Sequence, residues 1–223
     1  MVIFDKKQDL KRQLRETGKY MMQYDLAWGN SGNISAKTEE SSFLITASGT
    51  YLGDLDLEDF AECSIETGQG IGSGRKPSKE IPMHLAIYET RPEIGAVLHA
   101  SPLYSTLVAS SNIEIPSSWF VEDMYYLEKI ERVPYAHPGS KELGELVREQ
   151  AKKANILLLE NHGVLVYDTS LKEAKMALQT LEMACRMLVI SQKAGVHIQE
   201  LSEEKVQSFL VDSGYKPRRK WEH

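Results

Sequence analysis

Three stretches of this sequence carry residue types that could do chemistry together. His99 closes the apolar run Ala96-Val97-Leu98-His99, and Ser101 follows two residues later. Side chains alternate along a strand, so this imidazole and this hydroxyl would share one face. His162 lies in Glu160-Asn161-His162-Gly163, between the apolar runs 156–159 and 164–167, and the glycine after it lets backbone or ligand come close. Glu80 and His84 are four residues apart in a helical stretch, where a carboxylate and an imidazole face one way, as they must to share a metal ion or a proton. Each also has a plainer use, as a strand-end cap, a solvated turn or a surface pair.

A further set of residues could hold an anion. The turns Gly29 to Ser35 and Thr46 to Gly49, with Pro77, Ser78 and Lys79, supply backbone N–H groups freed by glycine, hydroxyls, an amide and an ammonium. Small-residue turns serve hairpins as well. On spacing alone the constellation supports a small-molecule site in an α/β domain.

The elements that must position these groups follow from periodicity. Helices are predicted over Lys6 to Leu26, Glu80 to Thr90 with Ser78 as its cap, Leu103 to Ser110, Ser140 to Ala154, Leu171 to Ala194 ended by Gly195, and Glu203 to Leu210. Strands are predicted over Phe43 to Thr46, Cys63 to Glu66, Ala96 to His99, Arg132 to Tyr135, Ile156 to Leu159 and Val164 to Tyr167. A glycine-rich loop spans Gly68 to Gly74, and a basic tail follows from about residue 212. The 223 residues show no internal repeat and no low-complexity linker, so one domain, 1–223, is expected.

Composition narrows the function. With 42% hydrophobic and 26% charged residues the chain has the balance of a globular protein. Lys and Arg total 26 against 32 Asp and Glu, a net charge of −6, which matches a nucleic-acid backbone poorly. No window approaches the roughly 18 to 20 apolar residues of a spanning helix. The two cysteines, Cys63 and Cys185, have neither disulfide-framework nor zinc-thiolate spacing, and a cytoplasmic location is expected.

Six blocks in order resemble the class II aldolase and adducin family: GNSGNIS (29–35), ITASG (45–49), KPSKEIPMHLAIY (76–88), AVLHASP (96–102), PYAHPGS (134–140) and LLLENHGVLV (157–166). The resemblance implies a three-layer α/β/α sandwich with a mostly antiparallel central sheet and a homotetramer with active sites between subunits. It also implies a divalent metal, usually zinc (manganese, cobalt or iron being alternatives), that polarises substrate oxygens while a glutamate moves the proton. By position Glu80 matches that glutamate and also completes a metal set with His99 and His162. Asn33, Ser48, Gly49 and Ser78 match phosphate-holding residues, and Lys79 stands where fuculose-phosphate aldolases have a second serine.

Two positions depart from the family pattern. Ser101 replaces the second histidine of His-x-His, with His84 as a nearby substitute ligand. Phe120 stands where the fuculose-phosphate aldolases use a proton-donating tyrosine, which directs attention to Tyr125, Tyr126, Tyr215, Glu122 and Asp123 instead. The expected function is a metal-dependent carbon–carbon lyase acting on a small phosphorylated hydroxy-carbonyl compound. The alternatives are a decarboxylase of a related keto acid, or a non-catalytic oligomeric member. The tail around Arg218-Arg219-Lys220-Trp221 is expected to be a solvated basic terminus, or else a flap over the anionic substrate.

Overall fold

The computed structural model describes residues 6–217 together with Arg219 and Trp221. Seven strands, β1 (Asn33–Glu39), β2 (Ser42–Thr46), β3 (Phe60–Ser64), β4 (Ala96–Ala100), β5 (Ile130–Val133), β6 (Ile156–Leu159) and β7 (Gly163–Asp168), make one sheet. Their order is β3-β2-β1-β4-β7-β6-β5. Only the β5–β6 pair is parallel. Helices α1 (Lys6–Gln23), α3 (Leu103–Ala109), α4 (Val121–Tyr126), α6 (Leu171–Ala194) and α7 (Glu203–Asp212) cover one face, and α2 (Ile81–Thr90) with α5 (Lys141–Ala151) covers the other. The mixed α/β fold with a mostly antiparallel sheet is therefore as expected.

The pleat sorts side chains between two cores. In β4, Ala96, Leu98 and Ala100 pack toward α6, while Val97 packs toward α2, and alternation sends His99 the same way as Val97. Because β1 pairs antiparallel with β4, placing Asn33 opposite His99 and Ser35 opposite Val97, these two polar residues also face α2. The long helix α6 starts where the Ser170 hydroxyl accepts from Glu173 N–H and stops at Gly195 with φ 64°. It buries Leu178, Leu181 and Leu188, worth about 1.5–3 kcal/mol each.

Several elements differ from the periodicity reading. The first residues of β1, Asn33 to Ser35, are read from the sequence as part of a polar turn and the rest is unassigned; β1 is a central strand whose α2-facing residues are polar, so hydrophobic alternation does not reveal it. β3 and β5 begin earlier than expected, and α4 is too short to show a helical period. The cap of α2 is Glu80 itself, while the Ser78 hydroxyl accepts the Glu80 N–H at 3.2 Å.

Lys216, Arg219 and Trp221 of the tail are docked against the domain, while 212–215 and 217 are exposed. Lys216 binds Glu173 at 2.9 Å, and Arg219 pairs with Asp168 at 2.5 Å between side chains that are 9% and 7% exposed. The Arg91 guanidinium sits 5.5 Å from the Trp221 ring. These residues close over a cavity of about 790 Å³ at the other end of β4 and β7 from His99, so they form no flap over the Glu80 site within their own chain. Arg218 and Lys220 lie outside the described residues. Among the described residues no helix is long and apolar enough to cross a membrane.

Candidate metal centre and anion cradle

Three elements deliver the central residues. Glu80 is fixed where the chain enters α2, a start stiffened by Pro82. His99 comes from β4. His162 comes from the turn joining β6 to β7, in which Asn161 takes φ 52° and His162 N–H donates to Leu159 O at 3.1 Å. Gly163, next to it, is obligatory: a Cβ there would stand 2.5 Å from Ala100 O and 2.9 Å from Ser101 Oγ. Gly32 has the same role before β1, where a Cβ would meet the His99 carbonyl at 2.8 Å.

These elements bring Glu80, His99 and His162 together, with one ligand atom of each lying within 4.8 Å of the others. Glu80 Oε2 is 3.3 Å from His99 Nε2, and Oε1 is 3.1 Å from His162 Nε2. The imidazoles meet edge-on with centroids 4.7 Å apart. His99 Nδ1 lies 3.0 Å from the Val164 carbonyl, an acceptor only, so Nδ1 carries a proton and, in the neutral ring, Nε2 turns its lone pair toward the carboxylate. Burial pushes the His99 imidazole down, although the Glu80 charge opposes this.

For Glu80, burial pushes the carboxyl up, but the His162 and Asn33 hydrogen bonds, with the positive charge the two imidazoles carry when protonated, outweigh it and hold the carboxyl below its ordinary range. Oε1 is nonetheless buried without a well-directed hydrogen bond. A bare imidazole nitrogen facing an ionised carboxylate, with an orphaned oxygen beside it, is the donor set a divalent cation satisfies. The residues fit the metal that the family resemblance implies.

Around them opens a cavity of about 700 Å³ lined by Asn33, Ser48, Gly49, Ser78, Lys79 and Ser101 among others, so every expected anion-binding residue borders it. Two backbone links hold the cradle: Ser48 N–H donates to Lys76 O at 2.9 Å and Ser78 N–H to Thr46 O at 3.0 Å. Gly49, at φ 79°, turns the loop outward. Lys79 is exposed and has no carboxylate partner among the described residues.

Other expectations are corrected. His84 does not reach the metal set; it is fully buried, with Nε2 2.6 Å from Asn33 Oδ1 and Nδ1 2.7 Å from Ser35 Oγ. Burial brings its imidazole down to about 3. None of the substitute proton donors lines this cavity in its own chain. The Tyr125 hydroxyl donates to Pro217 O, that of Tyr126 donates to Glu173, and the Tyr215 ring packs on Tyr125 and Phe209. Asp123 accepts the Trp119 and Phe120 N–H groups, Glu122 is exposed, and Phe120 packs against the core. The phenol that does line the cavity is Tyr51, which sequence reasoning passed over although it follows Gly49 by two residues.

Residues 12–189 match the Class II Aldolase and Adducin N-terminal domain. The chain is 31% identical over 189 residues to 3-oxo-tetronate 4-phosphate decarboxylase of Escherichia coli strain K12, covering 82% of this chain and 87% of that protein. It is 33% identical over 190 residues to L-fuculose phosphate aldolase of Methanocaldococcus jannaschii, covering 84% and 97%. Among solved structures, Klebsiella pneumoniae YgbL superposes with a TM-score of 0.84 at 26% identity, covering 91% of this chain and 98% of that one. The family match and these relatives each span most of the chain, and the chain belongs to the class II aldolase and adducin family.

Proposed function

We propose that this protein is a metal-dependent carbon–carbon lyase acting on a small phosphorylated hydroxy-carbonyl compound. The observation that carries the reading is the convergence of Glu80, His99 and His162 beside a cradle of Ser48, Gly49, Ser78 and Lys79. Glu80, His99 and His162 hold the metal, which when bound supplies Lewis-acid polarisation of substrate oxygens. Two imidazoles and a carboxylate suit zinc. The Ser48 and Ser78 hydroxyls and the backbone at Gly49 bind the phosphate, and Asn33 borders it. Glu80 passes a proton to or from the carbon that keeps the electron pair when the carbon–carbon bond breaks.

Loss of carbon dioxide from a 3-keto acid phosphate is the form of this chemistry that the residues favour. Glu80 is the one carboxylate among the described residues lining the cavity, and decarboxylation needs one proton transfer, to the carbon left behind. The Lys79 ammonium, without a carboxylate partner among the described residues, can hold a second anion, the substrate carboxylate, before it leaves as carbon dioxide. The exposed Trp28 and Tyr51 at the cavity rim, 64% and 47% accessible, support a homotetramer whose neighbouring subunit covers the site. Two free, buried cysteines are compatible with the cytoplasm.

The test is turnover of 3-oxo-tetronate 4-phosphate and of L-fuculose 1-phosphate by zinc-loaded protein, followed by carbon dioxide and dihydroxyacetone phosphate release. Glu80→Gln should abolish turnover with the fold intact. Full activity in that variant, or a protein that takes up no metal and turns over neither compound, overturns the proposal. Lys79→Ala should raise KM for the keto acid at least about tenfold and leave the aldol substrate less affected.

A further inference from the structure

Behind the Glu80 carboxylate runs a buried chain of hydrogen bonds that the proposed reaction does not by itself require. Asn33 Nδ2 donates to Glu80 Oε2 at 2.6 Å, and Asn33 Oδ1 lies 2.6 Å from His84 Nε2. His84 Nδ1 lies 2.7 Å from Ser35 Oγ, which lies 2.8 Å from the Tyr88 hydroxyl. Ser35 and His84 are fully buried, Tyr88 is 2% exposed and Asn33 7%. The geometry is a matched repeat: residues two apart on β1 face residues four apart on α2.

The chemistry of the members fixes the direction of each proton. A carboxylate only accepts, so Asn33 turns its NH₂ to Glu80 and its carbonyl to His84. A carbonyl also only accepts, so the proton of the neutral imidazole resides on Nε2. Nδ1 is then bare and accepts from the Ser35 hydroxyl, whose oxygen accepts from Tyr88 O–H. Turning any one group around sets donor against donor, or acceptor against acceptor, where no water competes.

We propose that His84, backed by Ser35 and Tyr88, is a positioning residue for Glu80. It locks the Asn33 amide in the orientation that ties down Oε2, leaving Oε1 as the oxygen that handles the proton. Oε1 is the buried oxygen that no well-directed hydrogen bond ties down, so it is the one free to exchange the metal for a proton. This assignment rests on the reading of Glu80 as acid/base. It also moves Asn33 from holding phosphate to orienting the carboxylate. An imidazole serving only the core would be replaceable by an apolar side chain of similar size without effect on proton transfer.

Two measurements on the zinc-loaded protein test it. In histidine-¹⁵N-labelled protein, His84 should be the Nε2–H tautomer; an Nδ1–H tautomer overturns the assignment whatever the reaction. In D₂O, exchange of the carbon-bound hydrogens of dihydroxyacetone phosphate reads proton transfer alone. His84→Leu should slow exchange about 100-fold while dihydroxyacetone phosphate affinity and zinc content change less than about threefold. His84→Gln, whose side-chain NH₂ can still donate to Asn33 Oδ1, should stay within about fivefold of the unaltered protein. If the leucine variant does not fold, Ser35→Ala, which deletes one oxygen, should slow exchange about tenfold. Equal losses in the leucine and glutamine variants, unchanged rates in Ser35→Ala, or a loss carried by ligand affinity overturns the positioning role. No exchange by the unaltered protein, with the tautomer as predicted, overturns the acid/base reading of Glu80 and this role with it.

Discussion

Gly163→Ala is the smallest change that should separate the two histidines of the metal set. The new Cβ would stand 2.5 Å from Ala100 O, and even 3.0 Å is a contact that real Cβ atoms essentially never undercut. The start of β7 must therefore retreat from the end of β4 by about half an ångström or more, between His162 on one side and His99 on the other. Gly163 also has φ 154°, a backbone that L side chains rarely adopt. Overpacking of this kind costs about 1–3 kcal/mol, which for a chain of this length lowers Tm by roughly 2–4 °C per kcal/mol. Displacing one ligand should also weaken zinc about 10- to 100-fold. At zinc equal to about 100 times the Kd of the unaltered site, linkage supplies about 2.7 kcal/mol, and a 100-fold weaker site would keep only about 0.4. The variant should thus lose more Tm with zinc than without it, as read by thermal unfolding in both conditions alongside a competitive chelator titration. Gly195→Ala is the control: its φ of 64° carries the same kind of backbone strain, but its Cβ meets nothing within 4 Å and lies outside the site. Wild-type zinc affinity in Gly163→Ala, with no change in metal-free Tm, would refute the packing argument.

Two further outcomes are expected. Arg219→Ala strands Asp168 without its cation in a buried setting and should cost about 3 kcal/mol in denaturant unfolding, with KM and kcat unchanged; an unchanged midpoint would mean that the tail does not dock in solution. Burial pushes the Asp123 carboxyl up from its ordinary 3.8 to about 6 even though it accepts backbone N–H groups. A raised carboxyl favours the fold while protonated, so its contribution is present below about 3.8 and is lost as pH rises through about 6. The stability difference between the unaltered protein and Asp123→Asn should therefore shift between pH 4 and 6, and a flat difference would contradict the burial argument.

Much of the site was legible because its ligands sit at element ends, where sequence marks are strong. His99 closes an apolar strand, His162 occupies a turn flanked by apolar runs, and Glu80 precedes a proline-stiffened helix start. The family resemblance then says which of these residues meet. β1 escaped because its α2-facing positions, Asn33 and Ser35, spend their polarity on hydrogen bonds inside the protein, and a strand of that kind looks like a loop when hydrophobicity is counted. His84 was misread for a related reason. Helical spacing places it beside Glu80, but α2 begins only at Ile81, so Glu80 lies off the helix and His84 turns to the sheet. The tail contacts depend on packing against Glu173 and Asp168, which no local pattern reports.

The pairing of Asn33 with His99 across β1 and β4 bears on how the protein reaches its native state. The bonds joining Glu80, Asn33, His84, Ser35 and Tyr88 span 47 to 53 residues of chain, so no early local structure can preassemble them. Register is the gate: a slip of one residue in β1 would turn Asn33 and Ser35 away from α2 and carry Ile34 into the polar layer. Contacts of such sequence separation form late, after their loop-closure cost has been met. Recovery of metal binding during refolding should accordingly lag behind the recovery of helix signal, which makes the metal a clock for the final locking of the sheet.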